Sequence, residues 1–408
     1  MISLKKESVF VYIVKLWFCN LKGLEHHVPI LFWRMEDEGM DFMNDASTLE
    51  EVMIQKAKQQ RVPITGSLEL LPLCNMNCDM CYVRLSREEM EKKGRLRTVE
   101  EWLELAHQME QAGVLFLLLT GGEPLLFPDF KKLYRELKQM GMILTINTNA
   151  TLIDEEWAAF FGMYKPRRIN ITLYGADEES YEKLCHYPDG FDKTIRAVRL
   201  LREQKVDVKI SCSITKVNCS SLEKIFDIGN QLDVPVHIDP YMMPGTRERD
   251  YSYAPQTRVT PEEAAQTSLK ALKIQLSEDF YKQYICQSIE RVQNPDFPRG
   301  DDHVSCLAGN CSFTVNWQGE MRPCVMMTEP SAPVFEIGFE NAWKEVCSGT
   351  REIRINPICT KCSLRPLCKI CAAGALLETG TYNGIPDYLC RYSEEYYRLL
   401  LQEVKNYE

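Results

Sequence analysis

The chain has 408 residues, of which 45% are hydrophobic, and its formal net charge at pH 7 is −10. This length predicts about two or three domains with a substantial hydrophobic core. The acidic balance, without any long basic run, disfavours a nucleic-acid partner. No segment reaches the roughly 18 consecutive apolar residues of a membrane span, so we expect no membrane partner and a cytoplasmic protein.

The first 62 residues are the least regular part of the chain. The apolar run Val9–Phe18 has the character of a strand, and Ser47–Gln60 has the pattern of a helix. Lys15 interrupts the apolar run and no small-residue cleavage site follows it, which argues against a signal peptide. We expect residues 1–62 to form a short N-terminal extension, which is either a capping element or a peptide-binding element.

From residue 63 to residue 254, short apolar runs alternate with amphipathic helical segments. The predicted strands are Ser67–Leu71, Val114–Thr120, Met142–Asn147, Arg168–Leu173, Val206–Ile214 and Pro235–Asp239. The predicted helices between them are Thr98–Ala112, Phe130–Gln139, Glu155–Phe161, Lys193–Gln204 and Ser221–Gln231. Six such β/α repeats predict a parallel sheet with right-handed crossovers. Functional residues of parallel sheets gather at the carboxyl ends of the strands.

A cluster of three cysteines, Cys74, Cys78 and Cys81, follows the first predicted strand in the run LCNMNCDMCY. Three thiols so close together cannot all pair as disulfides, but they can bind three irons of a [4Fe-4S] cluster. The fourth iron is then open, and an open position is typical of a catalytic metal site rather than a structural one. The alternative is a zinc site made from two or three of these thiols and a distant ligand.

A second motif, Gly121-Gly122-Glu123-Pro124, begins 40 residues after Cys81 and follows the second predicted strand. It therefore belongs to the same edge of the sheet as the cysteines. The glycines allow the backbone to approach a ligand closely, and Glu123 can accept a charge-assisted hydrogen bond from an ammonium group. The alternative is an ordinary turn between a strand and a helix. The C-x3-C-x2-C spacing together with this run resembles the radical S-adenosylmethionine (SAM) superfamily.

The resemblance implies a partial (β/α)6 barrel in which the three cysteines ligate a [4Fe-4S] cluster. The open iron would bind SAM, whose one-electron reductive cleavage produces a 5′-deoxyadenosyl radical. The resemblance implies SAM contacts at the Gly121–Pro124 run, and it also implies contacts at the ends of later strands, at Asn147, Asn149, Thr172 and Ser213. Each of these later residues is equally compatible with a turn residue whose hydrogen bonds are satisfied. A flavodoxin- or ferredoxin-type protein would donate the electron.

The chain changes character towards its C-terminus. Residues 255–300 are predicted to form a helical bridge, because Thr260-Pro261-Glu262-Glu263 is a strong helix-start signature. In residues 301–408 the cysteines, glycines and prolines increase and regular periodicity fades, which predicts a small domain held together by metals. Eight cysteines between Cys306 and Cys390 suit two four-thiolate [4Fe-4S] clusters. Two four-thiolate zinc sites are the alternative.

The spacing of these eight cysteines resembles the SPASM extension of radical SAM enzymes, which carries two auxiliary clusters. The resemblance assigns four ligands to the first cluster: Cys306, Cys311, Cys324 and Cys371. It assigns four to the second: Cys359, Cys362, Cys368 and Cys390. Two residues rather than the usual three separate Cys368 from Cys371. The remaining six cysteines are scattered, and we expect most of them to be buried as small apolar residues.

The substrate is less well indicated than the cofactors. SPASM enzymes mostly modify peptides or proteins, so we expect a radical SAM oxidoreductase that crosslinks or oxidises a ribosomally made peptide. Val325 stands where the sulfatase-maturing branch has an aspartate, which weakens the hypothesis of a sulfatase-maturase-like enzyme. Asp239 and Tyr241, at the end of the sixth predicted strand, are candidate catalytic residues. Two further hypotheses are an enzyme that acts on a small molecule, such as a carbohydrate-like alcohol, and a non-catalytic metal-stabilised binding module.

Overall fold

The computed structural model describes residues 48–245, 247–249 and 257–407. The predicted strand Val9–Phe18 and most of the predicted N-terminal extension lie outside these residues. The predicted helix Ser47–Gln60 is present as α1 (Leu49–Gln60). It begins with a capping box, in which the Thr48 side chain accepts a hydrogen bond from the Glu51 N–H and the Glu51 side chain accepts one from Thr48 N–H.

All six predicted strands are confirmed, and each bound lies within two residues of its prediction. They are β1 (Thr65–Glu69), β2 (Phe116–Thr120), β3 (Ile143–Thr148), β4 (Arg168–Thr172), β5 (Val208–Ser213) and β6 (Val236–Asp239). Each strand pairs in parallel with the next along the chain, in the spatial order β6-β5-β4-β3-β2-β1. The sheet therefore has the connectivity predicted for a partial (β/α)6 barrel.

Helices connect these strands. They are α2 (Arg87–Lys93), α3 (Val99–Gln111), α4 (Phe130–Gln139), α5 (Glu155–Met163), α6 (Glu178–Cys185), α7 (Gly190–Glu203) and α8 (Leu222–Leu232). The short helices α2 and α6 were not predicted, because seven or eight residues are too few to display a helical period clearly. None of the described helices is both long and apolar enough to cross a membrane.

The two faces of the parallel sheet differ in chemistry. In β3, Leu144 and Ile146 are fully buried against the helices, whereas the alternate residues Thr145 and Asn147 are partly exposed. In the neighbouring strands the partly or fully exposed polar positions are Ser67, Thr120, Asn170, Thr172, Ser211, Ser213, His237 and Asp239. The face turned away from the helices is therefore polar towards the carboxyl ends of the strands, whereas Phe116, Leu118 and Ile143 are apolar residues on the same face nearer the other end.

The C-terminal region extends the same sheet. Strand β7 (Ser312–Val315) pairs in parallel with β1, and β8 (Glu320–Arg322) and β9 (Ala332–Pro333) continue the sheet in antiparallel fashion. The remaining helices are α9 (Pro261–Gln275), α10 (Glu278–Gln293), α11 (Val334–Ile337), α12 (Phe339–Glu352), α13 (Ala372–Thr379) and α14 (Asp387–Val404). The cysteine-rich region thus contains regular elements that its fading periodicity did not predict.

Candidate active site

The cysteine loop that follows β1 is fixed against the end of α6. Asn77 N–H donates to the Cys185 carbonyl over 3.1 Å, and Asp79 N–H donates to the Leu184 carbonyl over 3.0 Å. These carbonyls belong to the last turn of α6, where helical partners are missing. His186, in the left-handed conformation that ends the helix, lies 2.6 Å from the Asp79 carboxylate. These contacts therefore fix the cysteine loop against the C-terminal end of α6.

Two of the three thiols of this loop, Cys74 and Cys81, receive hydrogen bonds from nearby backbone groups. Met76 N–H points at Cys74 Sγ over 3.4 Å, and Arg84 N–H points at Cys81 Sγ over 3.3 Å. Burial raises the pKa of Cys74, and a hydrogen bond with Cys185 together with burial raises the pKa of Cys78. Without a metal these thiols therefore keep their protons at neutral pH. Metal binding has to displace those protons, and the backbone donors favour the resulting thiolates.

The loop fits an iron-sulfur cluster. Within the parts of the chain that the structure describes, no three His, Cys, Asp or Glu side chains converge closely enough to hold a single metal ion. A cubane cluster does not need such convergence, because each thiolate binds a different iron. Cys74, Cys78 and Cys81 lie on one loop and influence one another electrostatically. Their N–H donors are the interactions that stabilise ligating sulfur, so the donor set suits a [4Fe-4S] cluster with one open iron.

The glycine pair after β2 lies directly against the segment that leads into Cys74. Gly122 N–H donates to the Leu71 carbonyl over 2.7 Å. A Cβ atom on Gly122 would lie 2.2 Å from the Leu73 carbonyl oxygen, and one on Gly121 would lie 2.5 Å from that of Leu71. Gly121 also has a φ of +144°, which favours glycine. Glycine is therefore required here by close backbone packing, which positions the cysteine loop.

Glu123 is fully buried beneath this junction. Its carboxylate accepts hydrogen bonds from Thr148 Oγ1 at 2.7 Å, from Asn149 N–H at 2.9 Å and from Leu125 N–H at 3.1 Å. Burial raises its pKa to about 7, although these hydrogen bonds act in the opposite direction. The side chain thus ties the end of β2 to the end of β3. Its contact with the SAM ammonium stays a prediction, and so does that of neighbouring Pro124.

Asn149 connects the end of β3 to the cysteine loop. Its Nδ2 donates to Asn75 Oδ1 over 2.9 Å and lies 3.7 Å from Cys74 Sγ. Asn75 in turn donates to Thr151 Oγ1 over 2.8 Å. Asn75 and Thr151 were missed in the sequence analysis. The signal that points to them is the run Asn147-Thr148-Asn149-Ala150-Thr151, which is rich in side-chain donors and acceptors at the end of a buried strand.

The other predicted SAM contacts lie further along the polar face. Asn147 Oδ1 accepts a hydrogen bond from Asn170 Nδ2 over 2.8 Å. Thr172 lies opposite Ser211 in the β4–β5 register. Ser213 lies opposite the candidate catalytic residue Asp239 in the β5–β6 register. The structure therefore brings these predicted residues to the carboxyl end of one sheet face, where a ligand of the cysteine loop would extend across them.

The second candidate catalytic residue, Tyr241, is directed elsewhere. Its side chain is buried against the C-terminal region, and its hydroxyl donates to Glu378 Oε1 over 3.1 Å. Arg258 pairs with the same carboxylate and lies over the Tyr241 ring at 5.2 Å. Burial raises the pKa of Tyr241 well above its usual value. The Tyr241 hydroxyl is thus engaged by the C-terminal region, whereas its backbone N–H donates to Asp239 Oδ1 over 3.1 Å.

The C-terminal cysteines gather in two places. Burial is the main cause that raises the pKa of Cys324 to about 11, and the nearby Cys306 and Cys371 contribute to this rise. In the second group, burial raises the pKa of Cys390 to about 11, with added repulsion from its neighbours Cys368, Cys359 and Cys362. Cys311 is fully buried, and its Sγ lies 3.9 Å from the Ile54 carbonyl of α1. The grouping matches the two predicted ligand sets except that Cys311 faces α1.

The scattered cysteines and the arginines after β6 differ from expectation. Among the scattered cysteines, Cys185 and Cys212 are buried as predicted, whereas Cys286 is exposed and Cys219 and Cys347 are intermediate. Cys19 lies outside the described residues. From the sequence, Arg249 is a possible contact of a substrate carboxylate, with a solvated side chain as the default expectation. In the structure its Nη1 donates to the carbonyls of both Cys78 and Cys81 at 3.1 Å, and these bonds help to hold the cysteine loop.

The comparisons with known proteins agree with this site. Residues 68–227 match the family model of the radical SAM superfamily. This part of the chain is therefore a radical SAM domain. The matched residues include the cysteine triplet, the Gly121–Pro124 run, the end of β1 and all of strands β2 to β5.

Curated relatives of two kinds are similar to this chain. It is 24% identical over 325 residues to an AdoMet-dependent heme synthase of Methanosarcina barkeri, covering 77% of this chain and 92% of that protein. It is 23% identical over 271 residues to the antilisterial bacteriocin subtilosin biosynthesis protein AlbA of Bacillus subtilis, covering 65% of this chain and 55% of that one.

Two solved structures share the fold. Native anSMEcpe with bound AdoMet has a TM-score of 0.61 at 21% identity, covering 85% of this chain and all of that one. Streptococcus suis SuiB bound to precursor peptide SuiA has a TM-score of 0.59 at 15% identity, covering 94% of this chain and 88% of that one. At these identities the likeness supports the fold alone. It extends beyond the matched domain into the cysteine-rich region.

Proposed function

We propose that this enzyme reductively cleaves SAM and uses the resulting 5′-deoxyadenosyl radical to oxidise or crosslink a peptide. The observation that carries the SAM site is the junction of the cysteine loop, Gly122 and Glu123. The three thiols lie at the carboxyl end of the sheet, close backbone packing holds them there, and a polar face extends from them across β3 to β6.

The residues of the chain have distinct roles in this proposal. Cys74, Cys78 and Cys81 hold the cluster, which when bound with SAM supplies one-electron reduction of the sulfonium. Glu123 and Asn149 fix the loop, and the polar residues of β3 to β5 hold the methionine and ribose portions of SAM. Hydrogen-atom abstraction turns the radical into 5′-deoxyadenosine and leaves a substrate radical, which must still lose one electron.

The C-terminal cysteines are proposed to bind two auxiliary [4Fe-4S] clusters as a SPASM domain. The second group contains all four predicted ligands of its cluster, and the first contains three, Cys306, Cys324 and Cys371. Binding of the first cluster by four thiolates also requires Cys311, which faces α1 in the structure. If all eight thiols ligate, neither cluster has a free iron for the substrate. Accepting the electron of the substrate radical is then their role. SAM cleavage itself consumes one electron. We propose that an external protein of flavodoxin or ferredoxin type donates it.

The peptide substrate rests on the relatives that act in peptide maturation. AlbA is named for bacteriocin biosynthesis, and the SuiB structure contains a precursor peptide. A second candidate is an iron-tetrapyrrole reaction, favoured by the heme synthase relative, of which 92% aligns with this chain. These two candidates differ in substrate class and share the SAM chemistry. Incubation with a candidate precursor peptide and with iron coproporphyrin, followed by mass spectrometry, distinguishes them.

The test of the SAM chemistry is metal analysis of anaerobically reconstituted protein with an assay for 5′-deoxyadenosine. We expect about twelve irons per chain, as three cubane clusters require, and reductant-dependent 5′-deoxyadenosine. Cys78→Ala should abolish 5′-deoxyadenosine formation and lower the iron content to about eight. Cys368→Ala should retain uncoupled SAM cleavage and lose product. Formation of 5′-deoxyadenosine by Cys78→Ala would contradict the assignment of the cluster.

A further inference from the structure

A buried arginine lies between the cysteine loop and the first group of C-terminal cysteines. Arg247 Nη1 donates to Glu69 Oε1 over 2.8 Å and to the Val325 carbonyl over 2.7 Å. The side chains of Arg247 and Glu69 are each only 3% exposed. Glu69 is the last residue of β1, five residues before Cys74, and Val325 directly follows Cys324. One nitrogen atom thus contacts both cysteine-bearing segments.

The surroundings of Arg247 reinforce this link. Its guanidinium lies 5.1 Å from the centre of the Tyr82 ring, and Tyr82 directly follows Cys81. The Tyr82 carbonyl accepts a hydrogen bond from Glu248 N–H over 3.0 Å. A Cβ atom on Gly245 would lie 2.8 Å from Met326 and 3.7 Å from Tyr82, so the backbone here passes tightly between the two segments. The chain after β6 therefore closes onto β1 and onto the cysteine-rich region.

The energetics of this contact favour a role in positioning. A buried ion pair gains little net stability over apolar residues of the same size, because both charges lose their hydration. Burial raises the pKa of Glu69, which is the expected sign of that cost. The Arg247 guanidinium instead fixes the position of its two acceptors, Glu69 and the Val325 carbonyl, relative to each other, because charge-assisted hydrogen bonds are directional. Apolar residues at these positions would fill the space without fixing the backbone of Val325.

We propose that Arg247 is a positioning residue that sets the separation between the SAM-site cysteine loop and the first auxiliary cysteine group. This inference rests on the proposed function, because it assumes that the SAM-site cysteine loop and the first auxiliary cysteine group both carry redox clusters. Electron transfer between the substrate radical and an auxiliary cluster depends on that separation. Arg247 acts through its hydrogen bonds to Glu69 and to the Val325 carbonyl.

The test compares four variants with the unmodified protein by hydrogen exchange and mass spectrometry. Arg247→Met removes both hydrogen bonds. Arg247→Lys keeps a nitrogen that can make both of them, because a single nitrogen makes both in the structure. Arg247→Met combined with Glu69→Gln avoids a lone buried carboxylate and so guards against misfolding. Arg196→Met, from an exposed pair with Glu155, is the matched control.

In Arg247→Met and in the double variant, we expect the amides of residues 324–327 to exchange on the order of tenfold faster, because a hydrogen bond to a charged group is lost. Exchange in β3 should not change. Arg247→Lys should restore slow exchange, and the control should match the unmodified protein. Unchanged exchange at residues 324–327 in both Met variants would overturn the proposal, as would equal acceleration in the Arg196→Met control.

A second readout uses the reduced, reconstituted protein. Microwave power saturation of the SAM-site cluster signal reports how closely the auxiliary clusters approach it. We expect the signal to saturate at lower power in Arg247→Met than in the unmodified protein, with recovery in Arg247→Lys. Metal content and SAM cleavage of the unmodified protein test the proposed function. Hydrogen exchange tests the positioning role of Arg247 whichever metals the C-terminal cysteines bind. A failure of the proposed function can therefore be distinguished from a failure of the proposal for Arg247.

Discussion

The Thr148 hydroxyl, at the end of β3, donates a hydrogen bond of 2.7 Å to Glu123, which follows β2. The Asn149 N–H reaches the other carboxylate oxygen of Glu123 at 2.9 Å, and the Asn149 side chain contacts the cysteine loop. One fully buried carboxylate therefore links three consecutive segments of the site. Its ionisation state should control how firmly these segments are held.

The first prediction concerns the pH dependence that Glu123 imposes. Its folded pKa of about 7 lies above the usual value of 4.5. Between these values the unfolded chain ionises while the folded protein keeps its proton, so stability falls as the pH rises to about 7 and stays lower above it. The shift corresponds to about 3 kcal/mol. Glu123→Gln cannot ionise and should remove this part of the pH dependence.

Thermal unfolding of both proteins at pH 5, 6, 7 and 8 checks this expectation under anaerobic conditions. The unmodified protein should lose more thermal stability between pH 5 and pH 7 than Glu123→Gln does. Other groups titrate equally in both proteins, so the difference between the two profiles isolates Glu123. Parallel profiles would show that the buried carboxyl stays ionised throughout this range.

The second prediction concerns the close packing at Gly122. A methyl group there would meet the Leu73 carbonyl at 2.2 Å, which forces the segment before Cys74 to move. Gly122→Ala should therefore lose the iron of the SAM site, about four of about twelve irons, together with SAM cleavage. Gly141→Ala is the control, because Gly141 has open space around its Cβ position and a φ of +85°. It should cost about 1 kcal/mol of stability and retain all of its iron.

Much of the central fold could be predicted from the sequence, because its signals are local. Each parallel strand is an apolar run that ends in polar residues, and the strand β4 begins at its predicted residue Arg168. The C-terminal strands could not be predicted in this way. Strands β7 to β9 have only four, three and two residues, and β7 is stabilised by pairing with β1, which is more than 200 residues away.

The same distinction applies to the site. The cysteine loop and the Gly121–Pro124 run are recognisable because their spacing is short and specific. Arg247 and Arg249 carry no such signal, since an arginine in a loop is most often solvated. Their roles arise when the chain after β6 returns to the start of the sheet. A contact between Arg247 and Glu69 depends on that closure and on nothing in the neighbouring sequence.

The third prediction concerns Tyr174, which follows β4 and whose hydroxyl hydrogen-bonds to the Cys78 sulfur. Hydrogen bonds to ligating sulfur stabilise the reduced, more negative cluster and so raise its reduction potential. Tyr174→Phe should therefore make the potential of the SAM-site cluster more negative while retaining its iron. A redox titration followed by electron paramagnetic resonance measures this shift.

Tyr181→Phe provides the matched control for this titration. The Tyr181 ring packs edge-on against Tyr174 with 5.6 Å between ring centroids, so both variants lose a hydroxyl from the same aromatic pair. Only Tyr174→Phe removes the hydrogen bond to Cys78. An equal shift in both variants would attribute the effect to packing, and no shift in Tyr174→Phe would exclude the hydrogen bond as a determinant of the potential.

The fourth prediction concerns the buried group that joins Tyr241 to the C-terminal region. Arg258 and Glu378 are 10% and 12% exposed, their closest atoms are 2.5 Å apart, and Arg258 lies 3.4 Å above the Tyr388 ring. Glu378→Gln leaves the Arg258 charge buried without its partner, which should cost about 3 kcal/mol or more of stability. The thermal midpoint should fall, whereas Glu155→Gln, from the exposed pair with Arg196, should change it far less. A small effect of Glu378→Gln, together with loss of product but not of SAM cleavage, would instead point to a catalytic role for the Tyr241–Glu378 hydrogen bond.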